Sequence, residues 1–364
     1  MPDAAPGFRS GFVAVVGRPN VGKSTLVNRM VGSKVTITSP RPNTTRRALR
    51  GVLHTPGAQA VFVDTPGFHR PRTALGRRLN EHVVDALGDV DVAVVVIDAT
   101  APVGPGDRLV LARAAGATSS ADGPDGRRAS GLLVVVNKVD RADRAQVLSQ
   151  LAAAHTALEG TGRGNGPRAG ADGAAADAAA EEQEDRAEVP AEAQAEVHAE
   201  VQAEVQAEVE TAESEGARPT AALDAEYFAV SALTGEGVEE LVAAVLDRLP
   251  AGPPYFPEGT VADASEAFWV AELVREQLLA RMREELPHSI ACRVTEWEWP
   301  RVRVDIVVER ESQKGMVIGR GGEVLKEVGG AVRAQLPPGA YIELRVKVDR
   351  HWQQRPDAIE RLGY

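Results

Sequence analysis

The residues GRPNVGKS (17–24) combine two glycines, a lysine and a serine at a spacing that suits the binding of a phosphate chain. They follow the apolar run FVAVV (12–16) and precede KSTLVNRMV (23–31), which gives the strand–loop–helix context that this pattern requires. Gly17 and Gly22 allow the backbone to curl so that its N–H groups face phosphate oxygens, and the positive end of the helix adds to the attraction. The stretch therefore predicts a phosphate-binding loop.

Two side chains of this loop could act directly on a bound triphosphate. Lys23 is placed to reach the β- and γ-phosphates, and the Ser24 hydroxyl is placed to ligate Mg²⁺. The strand and helix on either side argue against a chance glycine turn. We predict a nucleotide site that includes Gly17, Arg18, Pro19, Asn20, Val21, Gly22, Lys23, Ser24 and Thr25.

A second motif, NKVD (137–140), also follows an apolar run and would read the base. A carboxylate at Asp140 can accept hydrogen bonds from guanine N1–H and the 2-amino group, two donors that adenine does not present in that arrangement. Asn137 either contacts the N7/O6 edge or ties this loop to the phosphate loop, and VSA (230–232) would bring a backbone N–H to guanine O6. NKVD alone also fits an ordinary loop with a capping Asp, but its order among the other motifs indicates GTP rather than ATP. The predicted base site contains Asn137, Lys138, Asp140, Ser231 and Ala232.

The motif DTPG (64–67) ends a further apolar run and predicts contacts to the metal and the γ-phosphate. Asp64 would hold Mg²⁺ through water, and the Gly67 N–H would sense the γ-phosphate. In NTTRR (43–47), Thr45 rather than Thr44 is expected to complete the Mg²⁺ shell, although the short pattern also fits a plain polar loop. The predicted metal ligands are Ser24, Thr45 and Asp64, the catalytic residues are Lys23, Thr45 and Gly67, and the nucleotide site also takes in Thr65 and Pro66.

The residue after DTPG is Phe68, where many signalling GTPases place a glutamine that orients water. Intrinsic hydrolysis is therefore expected to be slow. Asn20 could help to hold a K⁺ ion beside the phosphates, which would then supply positive charge in the transition state.

A second glycine loop lies in GMVIGRGGEVLKEVGG (315–330), but its context differs from that of the first. No apolar strand runs straight into it, and no Lys-Ser/Thr follows its last glycine. The pattern suits a KH-type fold, in which a G-x-x-G loop joins two helices and clamps an RNA backbone. A glycine-rich turn between helices is the alternative. The predicted RNA-binding residues are Lys314, Gly319, Arg320, Gly321, Gly322 and Lys326.

Two tryptophans alternate near this region, Trp297 and Trp299. They could form a platform on which bases stack, but buried packing is the favoured interpretation. The histidines at 54, 69 and 288 lack the spacing of metal ligands.

Composition narrows the class of protein. Cys292 is the single cysteine, which excludes a disulfide framework and a cysteine-based zinc site, so a reducing compartment is expected. The acidic residues behind the net charge of −11 are concentrated in residues 159–222, so this charge does not argue against a nucleic-acid partner. The N-terminus MPDAAPGFRS lacks a secretory pattern, and apolar runs such as VAVVVI (92–97) are too short to cross a bilayer. We expect a cytoplasmic protein.

The elements that must position these motifs alternate along the chain. Strands that are apolar on both faces, with helical segments between them, predict a doubly wound, mostly parallel α/β sheet with one antiparallel edge pair at 47–55 and 58–64. After a helix near Glu266–Leu286, the order of the second domain is α-β-β-α-G-x-x-G-α-β. The predicted organisation is a flexible tail at 1–10, a GTPase domain at 11–158 plus 223–250, a low-complexity acidic insertion at 159–222, a linker at 251–265 and a KH domain at 266–364.

The chain resembles the Era family of bacterial GTPases over residues 11–158 and 223–364. The resemblance rests on the motifs GRPNVGKSTL, TITS…TTR, DTPGFH, NKVD, VSA, KGMVIGRGG and the terminal RLGY, in this order. The resemblance implies a P-loop GTPase domain followed by an α+β, type II KH domain, with GTP or GDP and Mg²⁺ as ligands. It also implies binding to the 3′ region of 16S rRNA, a role in assembly of the 30S ribosomal subunit and peripheral contact with the inner face of the cell membrane. A monomer is expected.

The chain departs from this family in its insertion and in Arg320-Gly321, where the loop commonly carries a lysine. Two other functions are possible interpretations of these motifs. GTPases of the same broad group that act in tRNA modification or membrane transport lack a C-terminal KH loop, which argues against that function. An RNA-binding scaffold with a merely structural nucleotide site would be favoured by an absence of GTP turnover.

Overall fold

A computed structural model describes residues 7–68, 71, 73–88, 90–119, 131–161, 225–282 and 286–364. Among these residues, one sheet consists of β1 Arg9–Gly17, β2 Leu49–His54, β3 Ala58–Asp64, β4 Val92–Asp98, β5 Gly131–Asn137 and β6 Ala225–Val230. The strand order is β2-β3-β1-β4-β5-β6, and only β2 pairs with its neighbour in antiparallel fashion. This confirms the predicted sheet and its antiparallel edge.

Helices cover both faces of this sheet, which explains why its central strands are apolar throughout. The helices are α1 Lys23–Val31, α2 Ala74–Gly88, α3 Pro105–Ser119, α4 Arg144–Thr161 and α5 Val238–Arg248. Successive residues of β1 point to opposite faces, so Val13 and Val15 pack with α1 and α5, whereas Ala14 and Val16 pack with α2, α3 and α4. The parallel arrangement brings the carboxyl ends of the strands, and the motifs that follow them, to one edge.

The second domain has the predicted order of elements. The helix α6 Glu266–Arg281 is followed by β7 Ala291–Glu298, β8 Arg301–Val308, α7 Glu311–Ile318, α8 Glu323–Arg333 and β9 Tyr341–Val348. β8 pairs with β7 in antiparallel and with β9 in parallel fashion, as in a type II KH fold. The helix α6 ends at Arg281, earlier than predicted. An additional helix, α9 Pro356–Arg361, follows the last strand and packs against α2.

Several boundaries differ from those predicted. The strand β1 begins at Arg9, inside the predicted tail, and α4 continues to Thr161, past the predicted start of the insertion. The rest of the insertion, from 162 to 222, lies outside the described residues. None of the helices in the described part of the chain is long and apolar enough to span a membrane.

The predicted linker is anchored to the first sheet. The Gly252 N–H donates to the Phe8 carbonyl (3.1 Å), and Val52 N–H donates to the Val261 carbonyl (2.9 Å). Near its end, the Asp263 N–H donates to the Arg50 carbonyl (3.0 Å). The linker therefore runs along the edge of the sheet to the start of α6.

Candidate functional site

The phosphate-binding loop joins β1 to α1 as predicted, and its conformation depends on glycine. Gly22 has φ 95°, and a Cβ added there would lie 2.2 Å from Asn137 Nδ2. Asn20 also has positive φ, 66°, which asparagine tolerates better than most residues. The loop borders a cavity of about 630 Å³ whose lining includes Pro19, Asn20, Gly22, Lys23, Ser24, Thr25, Thr45, Gly67 and Lys138.

Lys23 is buried at the start of α1 and points into the loop. Its Nζ donates to the carbonyls of Gly17 (3.1 Å) and Arg18 (2.7 Å). Burial lowers the pKa of the Lys23 ammonium to about 8, and the Asp64 carboxylate opposes this change. A phosphate oxygen would give this cation a stronger partner than the two carbonyls. The geometry suits the phosphate-binding role predicted for Lys23.

Two of the predicted metal ligands, Ser24 and Thr45, contact the third, Asp64. Asp64 Oδ2 accepts hydrogen bonds from the hydroxyls of Ser24 (2.8 Å), Thr36 (2.8 Å) and Thr45 (3.2 Å), and Ser24 Oγ lies 2.9 Å from Thr45 Oγ1. Asp64 Oδ1 is buried and has no hydrogen-bond partner among the described residues. Burial raises the pKa of the Asp64 carboxyl, and the Lys23 charge opposes the shift.

These residues fit a magnesium ion. Carboxylate and hydroxyl oxygens are hard ligands of the kind that Mg²⁺ prefers, and a buried carboxylate with a free oxygen favours a nearby cation. Thr44, the alternative to Thr45, turns away, since its hydroxyl donates to the Arg41 carbonyl (2.7 Å). Residues 38–46, which contain Thr45, are called the switch segment. Thr36 was not predicted as a site residue, because it lies in a loop before this segment and carries no periodic signal.

Asn137 links the base-reading motif to the phosphate loop. Its Nδ2 donates to the Val21 carbonyl (2.8 Å), and its Oδ1 accepts from the Ala232 N–H (2.9 Å). Of the two roles considered for Asn137, the structure shows the link between loops. The Ala232 N–H, expected to face guanine O6, is directed at Asn137 here.

The residues around Asp140 hold that carboxylate in place at the base site. Ser231 Oγ donates to Asp140 Oδ1 (2.6 Å). Lys138 has φ 70° and donates from Nζ to Asp98 Oδ2 (2.5 Å), which spreads its aliphatic stem beside the cavity. Asp98 was not predicted, although it ends the strand next to the motif.

The DTPG motif packs tightly against the phosphate loop. A Cβ on Gly67 would lie 2.6 Å from Pro19 Cα, and the Phe68 N–H donates to the Gly17 carbonyl (3.1 Å). The Thr65 hydroxyl donates to the Val15 carbonyl (2.8 Å). The Phe68 ring is buried, with the Arg113 guanidinium 4.5 Å from its centroid, so this side chain offers no group to orient water.

The second glycine loop joins α7 to α8 and is open to solvent. Gly319, Gly321 and Gly322 have φ of 76°, 62° and 82°, and a Cβ on Gly321 or Gly322 would meet no atom within 4 Å. Arg320 and Lys326 are exposed beside this open backbone, and Lys314 lies on the preceding helix. The predicted RNA-binding residues therefore lie on this loop and on the two helices that it joins.

The prediction that Trp297 and Trp299 are buried is wrong. Their exposed fractions are 36% and 47%, and their rings stack with centroids 6.2 Å apart. Residues 295–300, at the end of the β7–β8 hairpin, are all exposed. Alternation along a strand identifies a shared face but does not show whether that face is covered.

Comparisons with known proteins support the assignment of a GTPase domain and a KH domain. Residues 12–150 match the model of the 50S ribosome-binding GTPase family, and residues 285–353 match the KH domain model. GTPase Era of Mycobacterium tuberculosis is 38% identical to this chain, over 98% of the chain and 99% of that protein. The chain belongs to the Era family of GTPases. Era of Mycolicibacterium smegmatis is 36% identical over the same shares of the two chains.

Solved structures of Era proteins are similar over the same length. A variant of Aquifex aeolicus Era bound to GDP·AlF4⁻ is 30% identical, with a TM-score of 0.71 and coverage of 98% of this chain and 99% of that one. A complex of Era with MgGDPNP and nucleotides 1506–1542 of 16S ribosomal RNA is also 30% identical, with a TM-score of 0.69 and the same coverage. This Era-family chain is therefore a GTPase with a C-terminal KH domain.

Proposed function

We propose that this Era-family GTPase is a GTP-dependent switch that binds the 3′ region of 16S rRNA and acts in assembly of the 30S ribosomal subunit. The observation that carries the proposal is the pairing of a complete phosphate loop with an open G-x-x-G loop in one chain. Its similarity, over nearly its whole length, to the Era complex with MgGDPNP and 16S rRNA nucleotides supports the choice of RNA.

In the nucleotide site, each predicted residue has a defined task. The backbone from Gly17 to Thr25 and the Lys23 ammonium hold the phosphates, while Asp140, fixed by Ser231, selects guanine. Ser24, Thr45 and Asp64 would hold Mg²⁺, which neutralises phosphate charge during hydrolysis. The Gly67 N–H reports whether a γ-phosphate is present, because its loop is packed against the phosphate loop.

Hydrolysis by the isolated protein is slow in this proposal. Phe68 replaces the usual water-orienting glutamine, and its ring is buried under Arg113. Asn20 lines the cavity and carries an amide oxygen that can ligate K⁺ beside the phosphates. Turnover should then be faster in K⁺ than in Na⁺, and Asn20→Ala should remove the difference. Equal rates in the two salts would exclude the potassium role.

The RNA site uses a glycine loop that is open to solvent, unlike the closely packed phosphate loop. Gly321 and Gly322 present backbone without side chains, so a sugar-phosphate chain can approach closely, and Arg320 and Lys326 add positive charge. GTP and Mg²⁺ add contacts to the segments that contain Thr45 and Gly67, and this biases the placement of the KH domain. RNA binding and nucleotide state are then coupled in both directions.

The deciding experiment measures binding of the full-length protein to an RNA that corresponds to the 3′ end of 16S rRNA, with GTP analogue or GDP, at several salt concentrations. We expect tighter binding with the analogue and loss of binding in Gly321→Asp. Equal binding in both nucleotide states would overturn the switch. Absence of binding in both nucleotide states would overturn the choice of RNA.

A further inference from the structure

The segment that carries Thr45 is covered by the second domain. Helix α6 lies across it, and Arg275 on that helix has no exposed side-chain surface. Arg275 Nη2 donates to the carbonyl of Thr44, while Nε and Nη2 also donate to the two carboxylate oxygens of Glu272 (2.8 and 2.5 Å). The residue before Thr45 is thus held by a buried, charged donor of the KH domain.

The residue after Thr45 is held in the same way from another side. Arg46 is 3% exposed, and its Nη1 donates to the Ile290 carbonyl (2.6 Å). Its guanidinium lies 5.5 Å from the ring centroids of both Trp352 and Tyr364, at cation–π distance. The buried Tyr364 ring therefore packs against the switch segment through Arg46.

The chain before Thr44 follows α6 as well. Glu276 accepts from the Thr38 N–H (3.1 Å) through one carboxylate oxygen and from Lys34 Nζ (2.5 Å) through the other. The Arg41 guanidinium donates to the Met282 carbonyl (3.2 Å). The KH domain therefore contacts the whole switch segment and holds it most firmly on both sides of Thr45.

These contacts fix the position of the Thr45 hydroxyl. Consecutive Cα atoms are about 3.8 Å apart, so a residue between two anchored neighbours has little freedom to move. Moving Thr44 or Arg46 away would remove the Thr44 carbonyl from Arg275 or the Ile290 carbonyl from Arg46, and the loss of a hydrogen bond from a buried charged donor is unfavourable. With both anchored, Thr45 Oγ1 lies 2.9 Å from Ser24 Oγ and 3.2 Å from Asp64 Oδ2.

We infer that Arg275 and Arg46 are positioning residues for the metal ligand Thr45, so that the KH domain forms part of the GTP site. The inference rests on the proposed assignment of Thr45 to Mg²⁺ in the GTP state. It makes the second domain a structural support of nucleotide binding as well as the RNA-binding module. Tyr364, through its ring contact with Arg46, belongs to the same support.

The main test uses the double variant Glu272→Met/Arg275→Met, which removes both buried charges and keeps similar volume. The Mg²⁺ concentration needed for half-maximal binding of a fluorescent, non-hydrolysable GTP analogue should rise about tenfold, as for loss of one charged hydrogen bond. Binding of GDP should not change, because the switch threonine contacts the metal only in the triphosphate state. In the nucleotide-free protein, the amides of residues 44–46 should exchange hydrogen faster than in the parent.

Two further variants separate positioning from general damage. Thr45→Ala should raise the Mg²⁺ requirement as well, and should add little in the Glu272→Met/Arg275→Met background, because both changes remove one effect. Arg281→Met is the matched control, since Arg281 lies on the same helix but contacts Gln277 and Glu327 instead of the switch segment. It should leave the Mg²⁺ requirement unchanged.

An unchanged Mg²⁺ requirement in the double variant would overturn the inference, and so would an equal loss of GDP and analogue binding. Should the double variant fail to fold, Tyr364→Ala at the chain end provides the test, with a smaller rise of about threefold expected. No rise in that variant would overturn the inference too. If the parent protein bound the analogue without any need for Mg²⁺, the proposed GTP site itself would be wrong.

Discussion

The two glycine loops of this protein need glycine for opposite reasons. At Gly22 in the phosphate loop, a Cβ would meet Asn137 Nδ2 at 2.2 Å, so the crowding comes from the protein itself. At Gly321 in the KH loop, a Cβ would meet no atom within 4 Å and would point into solvent. Contacts within the protein set the conformation of the phosphate loop, whereas Gly321 and Gly322 of the KH loop face open space.

This difference predicts different responses to the same kind of mutation. A side chain in the phosphate loop disturbs the packing between two motifs, so folding stability and ligand binding should fall together. A side chain at Gly321 or Gly322 strains the backbone slightly but meets no neighbour, so RNA binding should fall much more than stability. Gly319 differs, because a Cβ there would lie 2.6 Å from Val324 Cγ2. Substitutions at Gly22 and Gly321 test this distinction.

Gly22→Ala should weaken GTP binding at least about 100-fold and lower the free energy of unfolding by roughly 2 kcal/mol, because the new methyl group displaces Asn137 and the position has positive φ. Nucleotide titration and thermal unfolding measure the two effects. Gly32→Ala is the control: it lies at the other end of α1 with φ 75° and open space around it. It should cost stability, by about 1 kcal/mol, and leave nucleotide affinity unchanged. A Gly22→Ala protein with normal GTP affinity would contradict the crowding argument.

Gly321→Asp should weaken RNA binding by about tenfold to 100-fold while leaving GTP binding nearly unchanged, since the new carboxylate faces the RNA phosphates and little else. The free energy of unfolding should fall by about 1 kcal/mol, the cost of a side chain at positive φ, 62°. Gly259→Asp introduces the same charge at another open position with positive φ, 85°, in the segment between the domains. That control should retain RNA affinity. Equal losses in the two variants would show that net charge, and not the loop, is responsible.

Ser231→Ala should reduce the preference for GTP over ITP by about fivefold, since Asp140 loses the hydrogen bond that orients it toward the guanine 2-amino group. Competition binding with the two nucleotides measures this ratio. Thr234→Ala removes a hydroxyl from the same turn that contacts the Glu236 N–H instead of Asp140, and should keep the ratio. An unchanged ratio in Ser231→Ala would mean that Asp140 is oriented by other contacts.

The elements that were predictable from the sequence are those with a local signal. The strand at 12–16, the loop at 17–24 and the helix at 23–31 follow from a buried run, two glycines and a helical pattern in immediate succession. The order of the KH elements followed in the same way from alternation and from the G-x-x-G stretch. Such signals need only a few neighbouring residues, so one sequence contains them.

The contacts that were not predictable join residues far apart in the chain. Arg275 reaches the Thr44 carbonyl across a separation of 231 residues, and no pattern near either residue announces that contact. Thr36 joins Asp64 through a loop whose path depends on the folded domain. The exposure of Trp297 and Trp299 depends on where the covering helices end, which is a property of the packed structure.

The anchored linker sets how far the KH domain can move. Hydrogen bonding to the first sheet continues to Asp263, and Ser265 already caps α6 by accepting from the Phe268 N–H (3.2 Å). The unanchored connection is therefore about two peptide units, or roughly 7 Å. A connection this short keeps the KH domain at a very high effective concentration near the switch segment. A KH domain displaced by a bound RNA would therefore return to the switch segment without a diffusive search.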